Sequence, residues 1–312
     1  MSVSLCHILF YQQGVVLFRH LNRFFAICLA LSVSAAHASK LNTDNIQTAS
    51  VSTFVTDLGS NQALFQKNAD IVMPIASLTK VMTAMVILDA NLALDEPINF
   101  NKDDKERIYN GYSRIRMGST LSRGEALHIA LMSSENLATA ALARQFPGGY
   151  DAFIKAMNAK AKSLDMTDTV FVDSSGLNPD NVSTAADITK MIKAAYDYPK
   201  IRQYSTTPVH TAYFKKPRYK LGYTNTNALV RGQKWDVALS KTGYLDIAGH
   251  CLAMITEVDG KQLLIVTLDA YGKLTPVGDA GRIKKWLQSG HSGKVSESAM
   301  HYQKQKLSTL TN

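Results

Sequence analysis

The feature that most constrains this chain is a change of hydrophobic period along it. From about Leu121 to Tyr198 the residues are rich in Ala, Met, Lys and Leu at helical spacing, with few strand signals. Pro147-Gly148-Gly149 and Ser175-Gly176-Leu177-Asn178-Pro179 punctuate that stretch. Strand-forming segments lie on either side. Upstream, Ala49 to Leu58 alternates, and Ala63 to Gln66 can return as a second strand across Gly59-Ser60-Asn61. Downstream, Trp235 to Lys241 alternates and ends at Thr242-Gly243. Two apolar runs follow, Gly249 to Val258 and Lys261 to Ala270, joined by Asp259-Gly260, a two-residue hairpin signal. Helices are predicted from Ser77, over Thr184 to Tyr196, and over Gly281 to Leu287, the first with Leu78, Val81, Met82, Met85, Ile87 and Leu88 as its apolar face. The pattern predicts an α/β fold, a sheet sandwiched by helices and interrupted by a helical insertion at about 101–200. From Ser289 the sequence turns polar, which predicts a flexible tail over 289–312.

The 46% hydrophobic content of the 312 residues excludes a disordered chain. Arg19 and Arg23 precede the apolar run Phe24 to Val33, and Ala36-His37-Ala38 follows it with small residues at cleavage spacing. Residues 1–38 therefore read as a signal peptide, since the run is too short to span a bilayer comfortably. Without Arg19 and Arg23 the formal charge falls from +9 to +7, still basic. No basic run with interleaved aromatics and no nucleic-acid-binding signature accompanies that charge, so no nucleic acid is expected as partner. Cys6 and Cys28 lie in the leader, and the remaining Cys251, in an apolar strand-like run, reads as core filler.

Three short motifs carry chemistry. Ser77-Leu78-Thr79-Lys80 places Ser and Lys at i and i+3, on one helix face, where a neutral amine can take the hydroxyl proton. Taken alone, such a pair is commonly a surface pair or a cap. Ser134-Glu135-Asn136 interrupts an apolar run ahead of an Ala-rich helix, and could be an ordinary helix-joining cap or a proton relay with an amide binder. Lys241-Thr242-Gly243 offers a cation, a hydroxyl and a close backbone approach, or simply a turn that ends a strand. All three, in this order, are much harder to produce by chance.

The set resembles the signature of class A β-lactamases and penicillin-binding proteins. The flanks sharpen it: Pro74 to Ala84, Leu131 to Asn136 and Phe171 to Leu177 resemble low-molecular-mass D-alanyl-D-alanine peptidases. Pro147 to Tyr150, Asn158 to Leu164 and Lys241 to Tyr244 look most like the D-alanyl-D-alanine endopeptidases of the penicillin-binding protein 7 type. The resemblance implies the penicillin-recognising serine transferase fold over a catalytic domain at 39–288, an antiparallel sheet flanked by helices. It also implies hydrolysis of D-alanyl-diaminopimelate cross-links in peptidoglycan through an acyl-enzyme. Ser77 would be the nucleophile, Lys80 the base and Ser134 the proton relay. Asn136, Lys241, Thr242, Gly243 and Tyr244 would bind substrate, with the N–H groups of Ser77 and Tyr244 as the oxyanion hole. Lys80 would be neutral, depressed by burial beside Lys241. Glu135 stands where the motif usually carries Asp. The partners implied are peptidoglycan peptide stems, with β-lactam antibiotics as inhibitors, in the periplasm.

No cofactor and no metal are expected, because His128, His210, His250, His291 and His301 show no zinc spacing. A β-lactamase needs a water-activating group, and Asp168 to Asn178 holds Asp173 but no Glu-x-x-x-Asn pattern. A non-catalytic peptidoglycan-binding relative is disfavoured by the intact Ser77, Lys80 and Lys241. A D-alanyl-D-alanine carboxypeptidase is the nearer alternative. The polar residues after Leu287 offer no stable membrane anchor, which favours the endopeptidase. Lys215-Lys216 and the region of Tyr244 are the candidates for substrate selectivity.

Overall fold

Strand β1 (Ser52–Asp57) is a β-branched run that turns into β2 (Gln62–Lys67). The turn is closed by the Asp57 carboxylate, which accepts from the Gly59 and Ser60 amides at 2.8 and 3.3 Å. The computed structural model describes residues 41–109 and 111–310, so the signal-peptide reading at 1–38 lies outside the described residues. A 3-10 turn at Ala76–Leu78 leads into α1 (Thr79–Asp89). Helix α1 is buried from Thr79 to Ile87, so it is the axis of the helical region and not an amphipathic surface helix. Around it come α2 (Lys102–Arg107), α3 (Arg123–Met132), α4 (Asn136–Arg144), α5 (Gly149–Ser163), α6 (Ala185–Tyr196) and α7 (Pro199–Ser205). Ser122 and Thr184 cap α3 and α6 by accepting from Glu125 N and Asp187 N.

A hairpin follows that the sequence pattern had not suggested: β3 (Val209–Phe214) and β4 (Tyr219–Thr224), paired from Val209↔Thr224 to Phe214↔Tyr219. After the short helix α8 (Ala228–Gly232) come β5 (Val237–Leu245), β6 (Gly249–Val258) and β7 (Lys261–Ala270). The last two are joined, as their spacing predicts, by Asp259 and Gly260, both at positive φ. The expected α/β fold is borne out: five antiparallel strands in the order β2-β1-β7-β6-β5 join the first hairpin to the last three strands. Helix α9 (Thr275–Ser289) and α6 both pack on β6 and β7. Since consecutive residues of β7 from Leu263 to Ala270 are all buried, both faces of the sheet are covered.

Three expectations need correction. β5 does not end at Thr242-Gly243 but runs on to Leu245, because its pairing with β6 continues through Leu245↔Gly249. Helix α9 begins at Thr275, six residues before the predicted start, with Pro276 in its first turn. The predicted flexible end contains α10 (Glu297–Leu310). This helix is docked by polar contacts: Tyr302 Oη donates to Asp269 Oδ1, Gln303 Nε2 to Thr48 O and Lys306 Nζ to Ile247 O. Its apolar contacts are sparse, with Ala299 against Ala49 and Val295 and with Tyr302 and Leu307 partly buried against the main core, which is why no apolar stripe announced it.

Candidate active site

Ser77 sits in the 3-10 turn that feeds α1, and Lys80 is on the first turn of that helix. The turn is squeezed from two sides by glycines. A Cβ on Gly176 would lie 1.9 Å from the Ala76 carbonyl oxygen, and one on Gly243 would lie 3.0 Å from Ile75 O and 3.1 Å from Ser77 N. Ala76 itself adopts φ +46°, unusual for a residue with a side chain, and its carbonyl accepts from Thr79 Oγ1 at 2.8 Å. The strand carrying Gly243 is β5, at the edge of the sheet, so its outer edge is free to line this turn.

Lys80 is 1% exposed, and its Nζ lies 2.8 Å from Ser77 Oγ, 2.7 Å from Asn136 Oδ1 and 2.6 Å from the Ser175 carbonyl. Those partners decide how a neutral amine would be oriented. The Asn136 and Ser175 oxygens can only accept, so they take both N–H groups of a neutral Lys80. The remaining lone pair then faces the Ser77 hydroxyl. Burial pulls the Lys80 amine down to about 7, against the opposing pull of the Asp173 and Glu135 carboxylates. Of the two causes the sequence pointed to, burial is the one that lowers the amine, and Lys241 is not among the groups that shift it.

Ser175 is in turn positioned by a loop whose role the sequence reading missed. The buried Asp173 carboxylate accepts from Ser175 N at 2.7 Å, Gly176 N at 2.5 Å and Asn178 N at 2.6 Å. Asn181 Oδ1 accepts from Val172 N and Asp173 N, and Thr83 on α1 donates to Ser174 O at 2.6 Å. An Asp followed by Ser, Gly and Asn was the available signal, since such residues build backbone-amide turns.

On the far side, Ser134 lies at the turn between α3 and α4 with φ +62°. Lys241 Nζ donates to Ser134 Oγ at 3.0 Å and to Thr242 O at 2.7 Å. Lys241 is also 1% exposed, and burial first, then the Lys80 charge, lowers its amine well below the ordinary value. Thr242 Oγ1 donates to Thr226 Oγ1 at 2.6 Å. Glu135 faces away from the amines' hydrogen bonds: it caps Leu137 N at 3.3 Å, and burial raises its carboxyl above the usual range.

These groups open on a groove of about 1160 Å³. Ser77, Ser134, Asn136, Thr242, Gly243 and Tyr244 line it, while Lys80 and Lys241 lie buried beneath. Arg114 and the β4 segment Gly222–Thr224 form another wall, and neither was anticipated. Tyr244 is half exposed and stacks on His250 with ring centroids 4.2 Å apart. Lys215 and Lys216, at the tip of the β3–β4 hairpin, do not line the groove and so do not support a part in selectivity.

The family profile described as D-alanyl-D-alanine carboxypeptidase matches residues 36–272. D-alanyl-D-alanine endopeptidases of Escherichia coli and Pseudomonas aeruginosa are each 44% identical, over 92% and 91% of this chain and 94% and 92% of their own. Among solved structures, a Streptomyces DD-transpeptidase superposes with a TM-score of 0.73 at 25% identity, over 78% of this chain and 98% of its own. An ampicillin-bound penicillin-binding protein of Listeria monocytogenes gives 0.65 at 29% identity, over 79% and 98%.

Proposed function

The chain belongs to the D-alanyl-D-alanine carboxypeptidase family of serine peptidases, and from that premise we propose that it is a D-alanyl-D-alanine endopeptidase opening peptidoglycan cross-links. The observation that carries the reading is the buried Lys80 amine, held by two obligate acceptors so that its lone pair meets Ser77 Oγ. In this mechanism Lys80 takes the Ser77 proton as Oγ bonds to the D-alanyl carbonyl carbon. The N–H groups of Ser77 and Tyr244 hold the oxyanion. The C–N bond then breaks, Ser134 hands a proton to the leaving amine, and water later cleaves the acyl-enzyme. Asn136 has given its Oδ1 to Lys80, so its Nδ2 remains to donate to a substrate carbonyl. Lys241 and Thr242 bind the carboxylate of the leaving stem or of a β-lactam.

Asp173 supports a peptidase over a β-lactamase. Its carboxylate is taken up by loop amides and is not offered to a hydrolytic water. The leader at 1–38 supports export to the periplasm, and no helix among the described residues is long and apolar enough to cross a membrane. The test has two steps. Fluorescent penicillin should label wild type and leave Ser77→Ala unlabelled; equal labelling removes the serine mechanism. Purified dimeric muropeptides should then be converted to monomers while monomeric pentapeptides persist. Rapid loss of terminal D-alanine with intact dimers would reassign the protein as a carboxypeptidase.

A further inference from the structure

Outside the groove, the fold gathers three metal-ligating side chains whose spacing in the sequence gave no sign of it. Glu125 and His128 lie at i and i+3 on α3, hence on one face, and His210 comes from β3. Their ligand atoms all fall within 4.8 Å of one another. His210 Nε2 meets Glu125 Oε2 at 2.7 Å, and the two imidazole centroids are 4.2 Å apart. We propose that Glu125, His128 and His210 form a site for a divalent transition cation of the zinc class, which braces the β3–β4 hairpin against α3.

The hydrogen bonds prepare the ligands. Thr207 Oγ1 spends its hydrogen on Gln203 O at 2.9 Å, so toward His128 Nε2, also 2.9 Å away, it can only accept. His128 therefore carries its proton on Nε2 and presents Nδ1 as a bare lone pair. A ligating imidazole whose other N–H is tied to an oxygen is the usual outer-shell arrangement of zinc sites. His128 is buried and stacks on Tyr204 at 4.5 Å, whereas the His210 and Glu125 side chains are 23% and 37% exposed. One wall is thus fixed and the other two ligands can adjust.

Tetrahedral zinc with bonds of about 2.1 Å sets its ligand atoms about 3.4 Å apart. The widest pair here must close by no more than about 1.4 Å and the His210–Glu125 pair must open by about 0.7 Å, which rotation of two partly exposed side chains supplies. Two imidazoles and one carboxylate leave a fourth position for water. The Lys200 charge opposes a cation here, but its Nζ is engaged by Gln203 Oε1 at 3.2 Å and by the Tyr204 ring. The consequence reaches the groove, because His210 pairs across the hairpin with Tyr223, a groove-lining residue.

The test uses the mature protein, stripped with a chelator and titrated with Zn(II) by calorimetry and with Co(II) by visible absorption. One saturable equivalent is expected, together with the visible bands of Co(II) in a low-symmetry nitrogen/oxygen site. Affinity should fall at least tenfold in His210→Ala and in Glu125→Gln. Labelling of both variants by fluorescent penicillin verifies that they are folded. His250→Ala, His291→Ala and His301→Ala should bind as wild type. Absence of saturable binding, or a Co(II) spectrum unchanged in folded His210→Ala, overturns the site and leaves a plain His–Glu hydrogen bond.

Discussion

The protonation of Lys80 gives the most direct measure of the proposed mechanism. With its amine at about 7, roughly half the molecules hold a neutral Lys80 at pH 7, about 9% at pH 6 and about 1% at pH 5. An unperturbed lysine would be neutral in only about 0.03% of molecules at pH 7, so burial supplies about 10³-fold more competent base. The second-order rate of acylation by a fluorescent penicillin should accordingly rise about tenfold from pH 5 to 6 and about fivefold from 6 to 7. Above 7 it should gain only about a further twofold. Lys241 lies close enough to couple, so the midpoint belongs to the pair of amines. Glu135→Gln separates the contributions. Removing an acid that raises the Lys80 value should move the rising limb to lower pH, while Lys241 keeps its hydrogen bonds to Ser134 and Thr242 O. The stability dependence has the same sign. Between about 7 and 10.5 the unfolded chain holds the Lys80 proton more tightly than the folded one, so this group's burial penalty shrinks as pH rises through that window. A rate that is flat from pH 5 to 8, or that falls, would show that neutral Lys80 is not the base.

Three further outcomes follow from the geometry. Lys80→Arg keeps a cation beside Ser77 but cannot surrender its proton, so acylation should drop by at least 10²-fold across the whole pH range. Gly176→Ala drives a Cβ to 1.9 Å from the Ala76 carbonyl and should lower stability by about 3 kcal/mol and abolish penicillin labelling. Gly260→Ala, also at positive φ but with nothing within 4 Å, should cost about 1 kcal/mol in thermal unfolding and leave labelling intact.

What could be read in the sequence were side chains at fixed local spacing and turns with their own chemistry. The serine of the 3-10 turn and the lysine of α1, the Ser134 turn and the Asp259-Gly260 hairpin all state their geometry within a few residues. The hidden parts are tertiary. The β3–β4 hairpin lacks a buried stripe, since Val209 and Tyr213 are about two-thirds exposed and only Ala212 and Phe214 of β3 are buried. Helix α10 is held by polar atoms that meet partners far away in sequence. The acceptor at Ser175 that helps orient Lys80 is a backbone carbonyl, which no residue type reveals.

Gly176 and Gly243 show how a motif can state only part of its local reason. Gly176 does sit in a turn at positive φ, whereas the strand-ending alternative for Gly243 fails, because β5 continues past it for two more residues. What the two positions share is contact with residues 75–77, where any side chain would strike the backbone beside Ser77. The loop at Asp173 and the edge strand β5 thus press on the 3-10 turn from two sides, and the positive φ of Ala76 is stabilised between them. The same loop supplies the Ser175 oxygen to Lys80, and the same strand carries Lys241 and Thr242. The proposed nucleophile, base and carboxylate site are therefore registered to one another through backbone contacts. A small side chain at either glycine should disturb all three at once, even though it touches none of their functional atoms.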